Sequence, residues 1–362
     1  MARLGDYVKI RTGKLDANAS SDDGAYPFFT CAVEPLRIDN YSYDCECVLV
    51  AGNGDLNVKY YNGKFDAYQR TYIIESLNKD VLSVPYLFCF LDKYIETLRK
   101  ESIGGVIKYI KLGNLTEANI PILPLAQQEA VVHICNETNQ LIALRKQQLA
   151  KLDELVKSRF IEMFGDPVRN DKGWPLAPLA TLAEIKIGPF GSLLHKEDYV
   201  HGGHALVNPS HIIEGQIVTD DDLTVSEAKY AEMEAYHLHT GDIVLGRRGE
   251  MGRCAVVYND GLLCGTGSLI IRPASEMLPY FLQKIISYPT FKEAIEDKAV
   301  GVTMMNLNVP IVSNFMIPML PLEEQSAYLR FVEQTDKSKL AVQQSIDQLE
   351  TLKKSLMQKY FG

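Results

Sequence analysis

A duplicated segment constrains the fold of this chain more than any other feature of its sequence. Residues 120–165 and 317–362 align without a gap at an offset of 197 positions, and 15 of the 46 aligned positions are identical. Both copies begin Ile-Pro-x-Leu-Pro-Leu and both end Phe-Gly. An internal repeat of this kind has to be recognised before any other fold assignment, because each copy is expected to adopt the same structure.

Each copy predicts an extended segment followed by one long helix. Two prolines at the start of each copy hold the backbone out of the helical region. Apolar positions then recur at heptad spacing, which forms a narrow stripe typical of a helix–helix seam. The first stripe contains Ile142, Leu149, Val156 and Met163 with Thr138 and Leu152 beside them, and the second contains Val342, Ile346, Leu349, Leu352, Leu356 and Tyr360. We therefore expect two long helices that pack on each other.

The repeat continues weakly into the segments before the helices. Gly13 matches Gly188 at an offset of 175, whereas Asn62 matches Asn259 at an offset of 197, so the second copy carries an insertion of 22 residues between about positions 190 and 240. Short β-rich runs and one helix-like stretch, Val84–Lys100, predict mixed α+β domains. The predicted divisions are a first variable domain at 1–119, a first helical region at 120–165, a linker with a second variable domain at 166–316, and a second helical region at 317–362.

Composition excludes several classes of protein. No run of about 18 apolar residues is present, and the N-terminal residues contain no apolar signal-peptide core. The seven cysteines form no C-x-x-C pair, which indicates reduced thiols and a cytoplasmic protein. A net charge of −9 argues mildly against nucleic acid, but a basic footprint need only be local.

The sequence offers no catalytic constellation. It lacks the G-x-x-x-x-G-K-[ST] loop of ATP-binding proteins, and the Asn208-Pro209-Ser210 stretch lacks the aromatic residue that would stack on a flipped base. Six of the seven histidines fall between His195 and His239, but their spacing does not match a zinc motif. We therefore predict neither catalytic residues nor a metal site in this chain.

Glycine-flanked basic clusters in both variable domains, with the polar residues beside them, are candidates for contacts with DNA. Arginine can hold guanine with two hydrogen bonds, and lysine and tyrosine can contact phosphate, although an exposed basic turn is often only solubilising. In the first domain the candidates are Arg11, Lys14, Lys59, Tyr61, Lys64 and Arg70. In the second domain they are Ser192, Lys196, Arg247, Arg248 and Arg253. Their presence in both copies strengthens the prediction.

The whole chain resembles the specificity (S) subunit of type I restriction–modification systems. The resemblance is carried by the repeated Pro-Leu-x-x-Gln segment at 124–128 and 321–325, with a long helix after each copy. Tyr26-Pro-Phe-Phe-Thr30, Gly188-Pro-Phe-Gly-Ser192 and Asp242-Ile-Val-Leu-Gly-Arg247 are also similar to patterns of that family.

The resemblance implies a specific division of labour. Each variable domain would be a target recognition domain that reads one half of an asymmetric, bipartite site in double-stranded DNA. The two helices would pair as an antiparallel coiled coil that spaces these domains, and they would dock two methyltransferase (M) subunits. S-adenosylmethionine would belong to the M subunits, and ATP with Mg to restriction (R) subunits, so the chain itself would be non-catalytic and carry no cofactor.

Two other functions fit the same residues. An S-like subunit of a type II restriction–modification enzyme would have the same sequence features. A coiled-coil scaffold that binds only proteins would also explain the helices, but its binding should barely depend on salt, whereas phosphate contacts weaken steeply as salt rises.

Overall fold

The structure is a computed structural model, and it describes residues 1–190, 193–249, 251–299 and 306–362. The chain forms two compact units. Unit 1 contains residues 1–149 and 341–362, and unit 2 contains residues 150–340. Each long helix therefore contributes one part to each unit.

Unit 1 has a six-stranded sheet with helices against one face, and a separate pair of short strands. Its strands are β1 (Ala2–Arg3), β2 (Val8–Thr12), β3 (Tyr26–Phe29), β4 (Leu36–Ile38), β5 (Tyr43–Ala51), β6 (Val58–Ala67), β7 (Thr71–Ser76) and β8 (Asn119–Ile120). Its helices are α1 (Val84–Glu101), α2 (Leu112–Thr116) and the first part of α3 (Leu125–Phe164), and residues 341–361 of the last long helix also belong to this unit. The sheet has the order β2-β7-β5-β6-β3-β4, and only β3 and β6 pair in parallel within it. The predicted helix at Val84–Lys100 is confirmed, and Ser83 caps its first turn.

Unit 2 has a four-stranded sheet, a five-stranded sheet and two separate pairs of short strands. Its strands are β9 (Leu176–Pro178), β10 (Ala183–Ile187), β11 (Tyr199–Val200), β12 (His204–Val207), β13 (Ile212–Ile213), β14 (Gln216–Ile217), β15 (Thr224–Val225), β16 (His237–Leu238), β17 (Ile243–Gly246), β18 (Cys254–Val256), β19 (Leu262–Cys264), β20 (Ser268–Pro273) and β21 (Met316–Pro318). Its helices are α4 (Leu179–Leu182), α5 (Glu227–Glu232), α6 (Pro279–Ile286), α7 (Pro289–Lys298), α8 (Val309–Ser313), the last part of α3 and the first part of α9 (Leu322–Phe361). The sheet orders are β10-β20-β17-β18 and β11-β15-β12-β19-β16.

The internal repeat is visible in strand register. In unit 1, Phe29 of β3 pairs in parallel with Ala67 of β6, and in unit 2, Val207 of β12 pairs in parallel with Cys264 of β19. Ala67 and Cys264 are 197 positions apart, which is the offset of the helical repeat. The β13–β14 hairpin, β15 and α5 fall inside the predicted insertion.

The two long helices pair antiparallel inside each unit. In unit 2, the Lys339 ammonium contacts the Asp153 carboxylate at 2.6 Å, and further along the pair the rings of Phe160 and Tyr328 lie 5.5 Å apart. In unit 1, Lys146 contacts Glu350 at 3.4 Å. The prediction of two long helices packed on each other is thus confirmed.

The cores of both units include the ends of these helices. Met357 and Phe361 are buried in the core of unit 1 beside Val131 and Cys135. Leu352, which the heptad pattern assigned to the seam, is instead 50% exposed. The heptad stripe predicts that the two helices pair, but it does not show which side of each helix packs against the rest of its unit.

Candidate nucleic-acid interface

Two loops that carry Lys14 and Arg70 lie side by side at one end of the sheet in unit 1. Lys14 follows β2 and Arg70 precedes β7, and these two strands pair antiparallel. The backbone N–H of Gly13 donates to the carbonyl of Thr71 at 3.1 Å. A Cβ atom at Gly13 would lie 2.0 Å from the carbonyl oxygen of Ala67, so this close approach requires glycine. Both Lys14 and Arg70 are exposed, and the approach of the loops holds the two cations at one edge of the unit.

A third cationic residue, Lys108, lies at the same end of the sheet, where backbone hydrogen bonds hold its segment in place. The N–H of Gly54 donates to the carbonyl of Lys108 at 2.9 Å, and the N–H of Gly52 donates to the carbonyl of Arg70 at 2.8 Å. Lys108 is exposed. Lys14, Arg70 and Lys108 are called the basic rim below. Lys108 was not selected from the sequence, although Gly104 and Gly105 lie just before it, because only the fold brings it close to the loop of Arg70.

Arg11 is held within the sheet by its neighbours. Its guanidinium lies 2.8 Å from the carboxylate of Glu75 and 4.7 Å from the centre of the Tyr43 ring. It also donates to the Sγ atom of Cys45 at 3.7 Å. These contacts neutralise the charge and fix the side chain, which favours a structural role for Arg11 over a contact with phosphate.

The remaining candidates of unit 1 lie on β6. Lys59 donates to the side chain of Asn57, and burial lowers the pKa of its ammonium. The hydroxyl of Tyr61 donates to the carbonyl of Lys64 at 3.3 Å, and its ring packs on Phe29 at 5.0 Å. Lys64 is exposed and its ammonium lies 4.7 Å from the centre of the Tyr41 ring. Of these three β6 residues, Lys64 is therefore the accessible cation, and it does not belong to the basic rim.

Arg247 of unit 2 is buried, with 4% of its surface exposed. Its guanidinium donates to the Oδ1 atom of Asn306 at 3.0 Å and to the carbonyl of Thr266 at 3.3 Å. Burial lowers the pKa of this arginine, with a further lowering from the nearby charge of Arg248. These bonds tie together the segments that follow β17 and β19, so the geometry favours a structural role for Arg247.

The other candidates of unit 2 differ in accessibility. Arg248 is exposed beside the buried Arg247, and Lys196 is exposed in a short 3-10 helix at residues 196–198. Arg253 is half-buried immediately before β18. Ser192 lies outside the described residues.

A cavity of about 450 Å³ adjoins Arg253 in unit 2. Lys284 and Lys292 line it together with Gln283 and Glu214, so cations outnumber acids on its walls. Burial lowers the pKa of Lys284. Neither lysine was selected from the sequence, because only the fold brings α6 and α7 to Arg253.

The histidine-rich segment forms a stacked column. The Tyr230 ring lies 3.8 Å from the His204 ring and 3.7 Å from the His237 ring, almost parallel to both. The Nε2 atom of His204 lies 2.8 Å from the carboxylate of Glu227, and that hydrogen bond raises the pKa of His204. Across the described parts of the chain, no three His, Cys, Asp or Glu residues are grouped so that they could hold a metal ion. Among those same residues, no helix is both long enough and apolar enough to cross a membrane.

The fold and these surfaces define a class of protein: a duplicated chain whose two α+β units are joined by long helices and expose basic side chains at the ends of strands. The chain belongs to the family described as the type I restriction modification DNA specificity domain, which matches residues 1–154 and 190–351. The match in two segments agrees with the internal repeat.

Relatives of this chain carry the same description. It is 25% identical to the type I restriction enzyme EcoDI specificity subunit of Escherichia coli, over 99% of this chain and 86% of that one. It is 21% identical to the MjaVIII specificity subunit of Methanocaldococcus jannaschii, over 99% and 90% of the two chains. Both relatives are named as specificity subunits of type I restriction enzymes.

Solved structures share the fold. A type I restriction–modification S subunit from M. genitalium matches with a TM-score of 0.59 at 16% identity, over 100% of this chain and 95% of that one. A chain from a study of complex assembly and conformational transition of the type I R-M system matches with a TM-score of 0.66 at 17% identity, over 99% and 96%.

Proposed function

We propose that this chain is the DNA-recognition subunit of a type I restriction–modification complex and reads a bipartite, asymmetric site in double-stranded DNA. The observation that carries the proposal is the duplication. Two units share strand register, and each exposes basic side chains at the ends of strands. Two related but non-identical surfaces suit two different half-sites, as in other proteins whose symmetry mirrors that of their DNA.

The structure allows the candidate contacts to be ranked. Lys14, Lys64 and Arg70 in unit 1 and Lys196 and Arg248 in unit 2 are exposed, and we propose them as contacts with phosphate or base edges. Arg11, Lys59 and Arg247 make internal contacts and would support the surface. Tyr61 supports it through ring packing. Arg253 would act from the wall of the basic cavity.

The chain would supply recognition and leave catalysis to its partners. The recognition domains would be residues 1–119 and 166–316, and the helical regions 120–165 and 317–362 would space them and dock two M subunits. The M subunits would bring S-adenosylmethionine, and R subunits would bring ATP and Mg, in the cytoplasm where the DNA lies. The absence of a catalytic motif from the sequence is consistent with this division.

A genome-wide profile of adenine methylation tests the proposal, measured in the source cell with and without the gene for this chain. We expect one bipartite motif to lose methylation when the gene is deleted. If every methylated motif persists, capture of the partners of the chain, followed by a salt titration of DNA binding, decides the matter. DNA binding that weakens steeply with salt supports recognition, and an assembly that binds only proteins supports a scaffold.

A further inference from the structure

An exposed apolar hairpin projects from unit 1. The segment Ile103–Tyr109 carries Val106, which is fully exposed, and Ile107, which is 62% exposed. Branched apolar side chains are usually placed in the core, and adjacent ones in water at the tip of a turn indicate a surface that another molecule covers.

The hairpin has a defined geometry. Ile103 and Tyr109 exchange backbone hydrogen bonds at 3.0 and 2.8 Å. Gly104 has φ of +120°, and a Cβ atom there would lie 2.4 Å from the carbonyl oxygen of Ile107. Only glycine allows this turn, so the backbone presents the two side chains at its apex.

The hairpin adjoins the basic rim. Lys108 belongs to both, and the hydrogen bonds from Gly54 to Lys108 and from Gly52 to Arg70 connect the hairpin to the loops at the end of the sheet. The acidic side chain of the 52–57 loop, Asp55, lies 3.4 Å from the guanidinium of Arg99. Duplex DNA has negatively charged phosphates on its outside and stacked, largely apolar base faces inside. An apolar tip flanked by exposed cations complements both features.

We propose that Val106 and Ile107 form a wedge that enters the minor groove of double-stranded DNA and separates two stacked base pairs in the half-site read by unit 1. Apolar side chains inserted at a base step partly unstack it and kink the duplex by about 20–90°. The basic rim holds the flanking phosphates. The inference rests on the proposed recognition function. It adds that the chain would distinguish DNA sequences by how easily a base step is deformed, as well as by contacts with base edges.

The experiment measures DNA bending by fluorescence energy transfer between the two ends of a duplex that carries the methylated motif. The full chain is used in complex with its methyltransferase subunits. The test variant is Val106→Ser with Ile107→Ser. Val106→Leu with Ile107→Leu keeps apolar bulk at the tip. Leu77→Ser is the matched control, since Leu77 is also 62% exposed but follows the opposite end of β7 from Arg70.

We expect the wild-type complex, the leucine variant and the Leu77→Ser control to shorten the distance between the DNA ends. The double serine variant should bind at least tenfold more weakly and leave the duplex straight, with the salt dependence of binding unchanged because no phosphate contact is lost. Lys108→Ala should show the opposite pattern, with a salt slope reduced by about one and the bend retained.

Other outcomes overturn the wedge in distinguishable ways. If the double serine variant binds and bends DNA as the wild type does, or if the wild type does not bend DNA, the wedge is wrong and the recognition function stands. If the variant loses its methyltransferase subunits in size-exclusion chromatography, the hairpin is a protein-docking surface. If the wild-type complex fails to bind DNA at all, both the recognition function and the wedge are wrong.

Discussion

Gln128 and Gln325, 197 positions apart in the chain, make the same three hydrogen bonds in their two units. Gln128 accepts from the N–H of Ser83 and donates to the carbonyls of Val81 and Leu123, all at 2.7–2.9 Å. Gln325 accepts from the N–H of Leu278 and donates to the carbonyls of Glu276 and Leu320, at 2.8–3.1 Å. Both side chains are completely buried. The glutamine of the Pro-Leu-x-x-Gln segment thus fastens the start of each long helix to its own domain.

Replacement of Gln128 by Ala should lower the free energy of unfolding by roughly 2–4 kcal/mol, because one donor and two acceptors lose their partner in a buried place. Urea denaturation measures the loss. Gln127→Ala, on the exposed side of the same helix turn, is the control and should change stability by no more than about 0.5 kcal/mol. Equal effects of the two substitutions would contradict the role assigned to Gln128.

The sequence predicted the helices well because proline and heptad spacing are local signals. The long helices begin at Leu125 and Leu322, each directly after the second of the two prolines that were expected to hold the chain extended. The sequence could not predict the parallel pairing of β3 with β6, since register between distant strands depends on tertiary packing. It also could not separate Arg247 from Arg248, because adjacent arginines give no signal of which one is buried.

Arg247→Ala and Arg248→Ala should therefore have different effects. Loss of Arg247 leaves the Thr266 carbonyl and the Asn306 amide without their donor and should cost about 1–3 kcal/mol of stability. Loss of Arg248 should leave stability within about 0.5 kcal/mol and reduce the salt slope of DNA binding by about one. Thermal unfolding and a salt titration measure the two effects. Retained M-subunit binding by both variants is the control, and its loss from Arg248→Ala would count against a DNA contact.

The ion pair between Asp242 and Arg272 gives a third prediction. The guanidinium donates to both carboxylate oxygens at 2.7 and 2.8 Å, and Asp242 is buried. The hydrogen bond to Asp242 raises the pKa of Arg272. Because Arg272 is partly exposed, Asp242→Asn should cost about 1–3 kcal/mol, less than the loss of a fully buried pair. Asp221→Asn, in an exposed loop of the same unit, should be neutral in the same urea titration.

The stability of unit 2 should depend on pH through His204. The carboxylate of Glu227, followed by the carbonyl of Gly261, raises the folded-state pKa of this histidine above its unfolded value of about 6.5. The stabilisation is therefore fully present below pH of about 6.5 and is lost as pH rises through the folded-state pKa. Urea midpoints at pH 6 and pH 8 measure this loss. His204→Phe keeps a ring against Tyr230 and Glu227→Gln removes the charge, so a slope that survives both substitutions would assign the effect to another group.

The length of the paired helices should set the spacing between the two half-sites without changing either half-site. Four residues inserted near Lys146 or Gln343 lengthen one helix by about 6 Å. The recognition surfaces themselves are untouched, because the exposed cations proposed as contacts belong to the domains and not to the helices. The methylation profile of cells with the altered chain should then show the same two half-sites around a different number of unread base pairs. A deletion of four residues at the same place should change the spacing in the opposite direction. If both half-site sequences change instead, the helices do not act as the spacer and this model is wrong.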